Sequence, residues 1–449
     1  MCDNCDNSIM SDINHMTTRQ TFPPTPSTLP ASPGRFPVYI GDDAIPELLA
    51  FLKARAWQRI ALVADENTYP ALGARVAQAL KQTGLDVNTL QAHGKRGDAV
   101  VANEETLIAV ISQARPSEQV YLAVGSGTIT DVTRFSSFVA KTPFISLPTA
   151  PSVDGFTSLG APLVLGGLKK TLICQAPSAV FADLPTLCAA PQQMLAAGFG
   201  DLIGKLNSAT DWQLGHVLYG EDYDDAITRR YFATALGCAE YAPGIGRRET
   251  RAVRMLMESL IESGFGMLDF GNSNPASGCE HHISHFWEMK LLTSGRRARL
   301  HGAKVGVASV ITAGWFHRLA TLTQDDVATR LKQTRQLDAA SQVAAIRAAY
   351  GPLSEQLIHE QAEFIEMSPA RYAELAQRIV DRWDEVRAIL KAMPTSEQMA
   401  KALQLAGGPT QPDQLGLTPS DVSEAMASAH YLRKRFTVAK LNQLFLRVF

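Results

Sequence analysis

Residues 120–134 read VYLAVGSGTITDVTR, and this stretch decides the fold. Val120–Gly125 is a short apolar run of the length expected for a buried strand. Gly125-Ser126-Gly127-Thr128 then turns the chain, and a helix is expected to continue to about Ala140. Glycines let the backbone pass close to a pyrophosphate, and the amides that open a helix supply donors and positive potential. A tight strand-to-helix turn has the same appearance, so the motif needs company. That company lies upstream, where Arg59–Asp65 (RIALVAD) reads as a second buried strand. It closes on Asp65, where a carboxylate accepts the ribose hydroxyls of a dinucleotide and repels a 2′-phosphate. A helix cap is the plainer reading of Asp65.

The alternation extends on both sides. A helix is expected over 70–83, a strand over 87–93, a helix over 103–114 and a strand over 143–148. Residues 159–183 suggest an antiparallel hairpin about Gly166-Gly167. Strands alternating with helices indicate βαβ units and a parallel sheet. Beyond Leu187 the periodicity becomes helical, over 191–215, 227–241, 250–264, 280–293, 303–321 and 371–392. The expected fold is an α/β Rossmann-like dinucleotide-binding domain over 35–187, followed by an all-helical domain over 188–449 that holds metal and substrate. Residues 1–34 are rich in Pro, Ser and Thr, and read as a flexible leader.

The 449 residues carry a net charge of −2, which supplies no field for nucleic acid or an anionic membrane. No apolar run approaches the ~20 residues of a membrane span. The acidic N-terminus, with Asp3, Asp6 and Asp12, lacks the features of a signal peptide. Six scattered cysteines fit a reducing compartment, and a cytoplasmic enzyme is expected. Cys2 and Cys5 form a CxxC without partner ligands, whereas structural zinc needs four ligands.

Three segments suggest a metal. In GFGDLIGK (198–205) Asp201 is read at the start of a helix, just past two glycines. In SGCEHHISH (277–285) His281 and His285 are four apart, on one helical face. His301-Gly302 precedes a third helical run. One carboxylate with two imidazoles suits a catalytic divalent ion with an open position. The remaining histidines, 15, 93, 216, 282, 317, 359 and 430, are read as ordinary polar contacts.

Taken together, GSGTITDVTR (125–134), PTAPSVDGFTS (148–158), GFGDLIGK with Asp211-Trp212, SGCEHHISHFWE (277–288) and HGAKVG (301–306) resemble a known superfamily. It comprises the iron-type alcohol dehydrogenases, glycerol dehydrogenases and dehydroquinate synthases, and the glycerol-1-phosphate dehydrogenase branch is the nearest. The resemblance implies a dehydroquinate synthase-like fold, NAD or NADP, and one divalent Zn, Ni or Fe ion held by Asp201, His281 and His301. It places Asp154 and His285 beside the substrate as catalytic side chains. Gly125, Ser126, Gly127, Asp131, Thr149 and Ser152, together with Asp65, would face the cofactor. Lys205, one turn past Asp201, is the candidate for a substrate phosphate, a solvated helical lysine being the alternative. The activity implied is interconversion of dihydroxyacetone phosphate and sn-glycerol 1-phosphate, in a homodimer or higher homo-oligomer. A polyol dehydrogenase acting on an unphosphorylated substrate is the nearest alternative, and a dehydroquinate synthase-like lyase a more distant one. Asn274 stands where branch members often carry Arg, Cys279 where they carry Ser or Ala, and Ala303 where they carry Glu. Loss of that Arg bears on phosphate recognition, because a bidentate donor is gone.

Overall fold

The computed structural model describes residues 27–29, 35–94 and 100–449. The Cys2/Cys5 pair and most of the 1–34 leader lie outside them. Within that leader, Ser27–Leu29 is a described strand, β1, antiparallel to β2 (Val38–Gly41).

The remaining main-sheet strands are β3 (Arg59–Ala64), β4 (Asp86–Gln91), β5 (Val120–Gly125), β6 (Phe144–Pro148) and β9 (Val180–Asp183). Their order across the sheet is β1-β2-β9-β6-β5-β3-β4, and every pairing after the first is parallel. Alternate residues explain why the strands read as unbroken apolar runs. Ile60, Leu62, Leu122, Val124 and Ile145 enter the core on one face. Ala61, Val63, Tyr121, Ala123 and Phe144 enter a second core on the other. A sheet covered on both faces has no polar side to show.

β7 (Gly160–Leu165) and β8 (Leu168–Ile173) form the expected hairpin as a separate antiparallel pair. The hairpin reading of 159–183 overreached at its end, because Val180–Asp183 is a buried parallel strand of the main sheet. β2 was also unread. Both it and β9 are four residues long, too short for periodicity to register.

From Leu184 onward the described residues form helices and connecting turns. Helices Gln192–Leu214, Thr250–Phe270, Cys279–Thr293 and His301–Ala320 build the core of this half. The single helix expected over 371–392 is two, Pro369–Asp381 and Trp383–Lys391, with a break at Arg382. No helix of the described residues is long and apolar enough to cross a membrane.

Gly125 and Pro148 are register partners at the carboxyl ends of β5 and β6. The glycine turn and the PTAPSVDG loop therefore leave the sheet side by side, on the edge where open α/β sheets bind ligands.

Candidate active site

Glycines set the geometry of the site. Asp201 lies well inside the helix Gln192–Leu214, not at its start as the sequence suggested, and His301 opens the helix His301–Ala320. A Cβ on Gly200 would lie 2.3 Å from the Gly302 carbonyl oxygen, and one on Gly302 would lie 1.9 Å from that of Ala197. A Cβ on Gly198 would lie 1.8 Å from the Pro151 oxygen. Glycine inside a helix costs about 1 kcal/mol relative to alanine. Here it removes the side chains that would hold two helices and a loop apart, which is why the glycines surround Asp201 without ending its helix.

That contact brings Asp201 and His301 together, and the helix Cys279–Thr293 adds His281. Asp201 Oδ1 is 3.5 Å from His281 Nε2 and 4.0 Å from His301 Nε2. One ligand atom from each of the three lies within 4.8 Å of the other two. Donors at about 2.0–2.2 Å from a shared divalent ion lie at comparable mutual distances. The chemistry of the set also fits. Glu280 Oε1 is 2.6 Å from His281 Nδ1, so this nitrogen donates its hydrogen there and Nε2 is the nitrogen that faces Asp201. Burial, reinforced by the Lys169 ammonium, pushes the His285 and His301 imidazoles well below their usual range, so both are neutral near pH 7. Burial opposes ionisation of Asp201, but the Lys205 ammonium and a hydrogen bond from His281 outweigh it and keep the group a carboxylate. The His285 ring is centred 6.0 Å from His281 and 5.4 Å from His301.

Asp154 arrives from the other half of the chain. Its backbone N–H donates to Asp201 Oδ2 at 3.1 Å, and its carboxylate accepts from Ser263 Oγ at 2.8 Å. Burial and the neighbouring Asp201 raise its pKa. Between the two carboxylates sits Lys205, 2.9 Å from Asp154, 3.2 Å from Asp201 and 3.1 Å from the Ala276 carbonyl. An ammonium has three hydrogens, and these contacts use all of them. The sequence reading makes Lys205 a candidate phosphate ligand, and the structure places it between these three acceptors. At 1% exposure, it bridges two buried carboxylates and has no donor left for a substrate anion.

At the glycine turn, Ser126 is extended and opens the helix Gly127–Val139 without a side-chain cap. A Cβ on Gly127 would lie 2.8 Å from Val153, so this glycine keeps the turn against the PTAPSVDG loop. Thr149 and Ser152 are buried in that loop. Asp131 pairs with Arg134 at 2.9 Å, and burial pushes its pKa up to about 7. Arg134 also donates to the carbonyls of Gly155, Phe156 and Gly160, so the pair braces the loop that carries Asp154. Asp65 Oδ1 accepts the amides of Asn67 and Thr68, which is the helix-cap arrangement. Ribose recognition would fall to its second oxygen.

Sequence reasoning missed Glu280 and the C-terminal segment. Arg435 donates to the carbonyls of Asn274 and Ser277, and to that of Ser208 at 3.0 Å. Asp211 accepts from Cys279 N at 2.7 Å and Val438 N at 2.6 Å, and burial beside Glu280 raises its pKa to about 8. The tail beyond 395, given no role from sequence, thus staples the Asp201 helix to the turn that leads into His281. Asn274 is exposed on that turn and takes part through its carbonyl. Of the other histidines, 216 and 317 meet backbone carbonyls and 282 and 430 are buried.

Residues 39–191 match the family described as iron-containing alcohol dehydrogenase. Over 400 residues the chain is 38% identical to a glycerol-1-phosphate dehydrogenase, NAD(P)+, of Bacillus subtilis (strain 168), covering 89% of each chain. Over 402 residues it is 34% identical to one from Geobacillus thermodenitrificans, covering 89% of this chain and 90% of the relative. Among solved structures, an alcohol dehydrogenase from Oenococcus oeni aligns with a TM-score of 0.58 at 13% identity, over 90% of this chain and 94% of that one. A glycerol dehydrogenase from Schizosaccharomyces pombe aligns with a TM-score of 0.52 at 19% identity, over 84% and 90%. These two likenesses establish the shared fold.

Proposed function

Because this chain belongs to the glycerol-1-phosphate dehydrogenase family, among the iron-containing alcohol dehydrogenases, we propose that it is a metal-dependent, NAD(P)-linked dehydrogenase. It interconverts dihydroxyacetone phosphate and sn-glycerol 1-phosphate by hydride transfer at C2. The observation that carries this reading is the meeting of Asp201, His281 and His301 beside a loop from the nucleotide half.

Asp201, His281 and His301 would hold one divalent Zn, Ni or Fe ion. When bound, the ion supplies a Lewis acid for the C2 oxygen, and the nicotinamide gives or takes the hydride. Glu280 fixes the tautomer and ring orientation of His281. Lys205 keeps Asp201 anionic by placing an ammonium between it and Asp154. His285, neutral and beside both ligand rings, accepts a hydrogen bond from the substrate hydroxyl and holds its reacting carbon in register. Reduction consumes one proton from solvent, which this imidazole can pass to the C2 oxygen. The Gly125-Ser126-Gly127 turn with the amides opening its helix faces the pyrophosphate. Thr149, Ser152 and Asp131 flank it, and Asp65 meets the adenosine ribose. The nucleotide half is 35–187, the metal half 188–449. The four described cysteines are free, in keeping with a cytoplasmic enzyme, and a homodimer or higher homo-oligomer fits the family.

The test pairs metal content with turnover. Purified Asp201→Ala and His281→Ala should lose both bound metal and nicotinamide oxidation with dihydroxyacetone phosphate. Full activity in a metal-free variant would sink the assignment. A panel of glycerol, dihydroxyacetone and their phosphates, run with NADH and NADPH, separates this reading from an unphosphorylated-polyol dehydrogenase.

A further inference from the structure

Lys205 being fully engaged, a phosphorylated substrate needs another cation, and the fold places one across the gap between the two halves. Glu288 follows His281 by seven residues and His285 by three, so it shares their helical face, as Lys304 shares that of His301. Lys304 Nζ donates to Glu288 at 3.1 Å and to the Arg299 carbonyl at 3.2 Å. Lys169 reaches Glu288 from the opposite half, at the second residue of β8, with Nζ at 2.9 and 3.0 Å from the two carboxylate oxygens. Two ammonium groups thus meet one carboxylate, leaving one positive charge in excess. The two lysines differ in freedom. Lys304 is 1% exposed and tied to a backbone carbonyl as well, whereas the Lys169 side chain is 13% exposed and bound to Glu288 alone.

This excess lies about one helical turn, roughly 5.4 Å along the axis, beyond His285 and His301, and about two turns from His281. In a triose phosphate the phosphorus lies a similar distance from the C2 oxygen. The Lys169 ammonium acts to lower the pKa of His285 and His301 on one side and of Asp131 on the other, so its field reaches both the metal residues and the helix after the nucleotide turn. Resting on the function proposed above, we propose that Lys169 on the β7–β8 hairpin is the residue that selects a phosphorylated substrate, exchanging Glu288 for the phosphate when the substrate binds. Glu288 then stays matched by Lys304, so neither charge is stranded.

The test is Lys169→Met, which keeps the aliphatic stem, with Lys169→Gln as a second neutral variant and Lys169→Arg to restore charge. Loss of one hydrogen bond to a charged group predicts that KM for dihydroxyacetone phosphate rises about ten- to a hundredfold. Turnover at saturation should move less than about threefold, since uniform binding is what is lost. KM for dihydroxyacetone should change little, and Lys169→Arg should recover most of the affinity. In parallel, inorganic phosphate is titrated into metal-loaded wild type and variants. Weakened phosphate binding in both neutral variants supports the site even if wild type fails to reduce dihydroxyacetone phosphate, in which case the proposed substrate falls and the anion site stands. Unchanged phosphate affinity, or equal losses on phosphorylated and unphosphorylated substrates, overturns the proposal.

Discussion

Replacing Gly302 by alanine tests the site without touching a proposed ligand. The added Cβ would stand 1.9 Å from the Ala197 carbonyl oxygen and 3.0 Å from the Asp201 Cβ. Real Cβ contacts essentially never fall under 3.0 Å, so the two helices must separate by at least the difference, 1.1 Å. Backbone meets backbone here, and no flexible side chain can give way. Overpacking costs about 1–3 kcal/mol, from which the better helix propensity of alanine returns up to ~1 kcal/mol. Stability therefore changes modestly. Metal affinity should change far more, because ligand distances tolerate only about 0.2 Å and Asp201 and His301 lie on the two helices being pushed apart. Disturbing groups that merely orient ligands costs about 10–100-fold in affinity, so a shift of the ligands themselves should cost at least as much. The assay is chelator competition for the metal, with far-ultraviolet circular dichroism and urea unfolding to show that the fold persists. Gly302→Ala with wild-type metal affinity would refute the claim that close helix approach assembles the site.

Three further predictions test other parts of the structure. Glu280→Gln should weaken metal binding about 10–100-fold while Asp201, His281 and His301 remain, because the hydrogen bond that orients His281 becomes weaker; unchanged affinity would separate Glu280 from the site. Lys205→Met strands two buried carboxylates and should destabilise the metal-free protein by about 3–5 kcal/mol. Part of that loss should return when a divalent ion is added, as urea midpoints with and without metal would reveal. His430 is buried, and burial, aided by Lys440, lowers its pKa to about 3. Its folded value is depressed, so unfolding takes up a proton below pH 6.5. Stability from this group is complete above that pH and falls on acidification at up to ~1.4 kcal/mol per unit. His430→Gln should accordingly lose about 2 kcal/mol less than wild type between pH 7 and pH 5, and equal losses would disprove it.

What the sequence reveals depends on how far apart the partners are. The β5 run and its glycine turn are local, so they read directly, as does the i, i+4 spacing of His281 and His285. Lys205 is half legible. Its spacing from Asp201 is plain, but Asp154 lies 47 residues from Asp201 in sequence, and only the folded contact shows the ammonium to be saturated. Glu280 escapes for another reason. Neighbours in sequence do not share a helix face, and the contact with His281 depends on the first turn of the helix, where Glu280 also accepts the Gly278 amide. Arg435 is 227 residues from Ser208, beyond any periodic signal.

The charges of the two clusters also bear on which substrate suits the cleft. Asp154, Asp201, Glu280 and Lys205 together carry two negative charges, and the imidazoles of His285 and His301 are neutral. A divalent ion cancels that deficit. Lys169 and Lys304 against Glu288 leave one positive charge, one turn from His285 and His301. A phosphate monoester carries about −1.5 to −2 at pH 7, so a triose phosphate spanning both clusters offsets that charge. A neutral polyol would leave it uncompensated away from water, where unmatched charge is costly. On this reasoning, discrimination between phosphorylated and unphosphorylated substrate comes from that balance, and the exposed Asn274 has no share in it. Raising ionic strength should therefore erode the preference, as screening substitutes for the missing dianion. A ratio of kcat/KM between the two substrates that stays constant from low to high salt would contradict the charge argument.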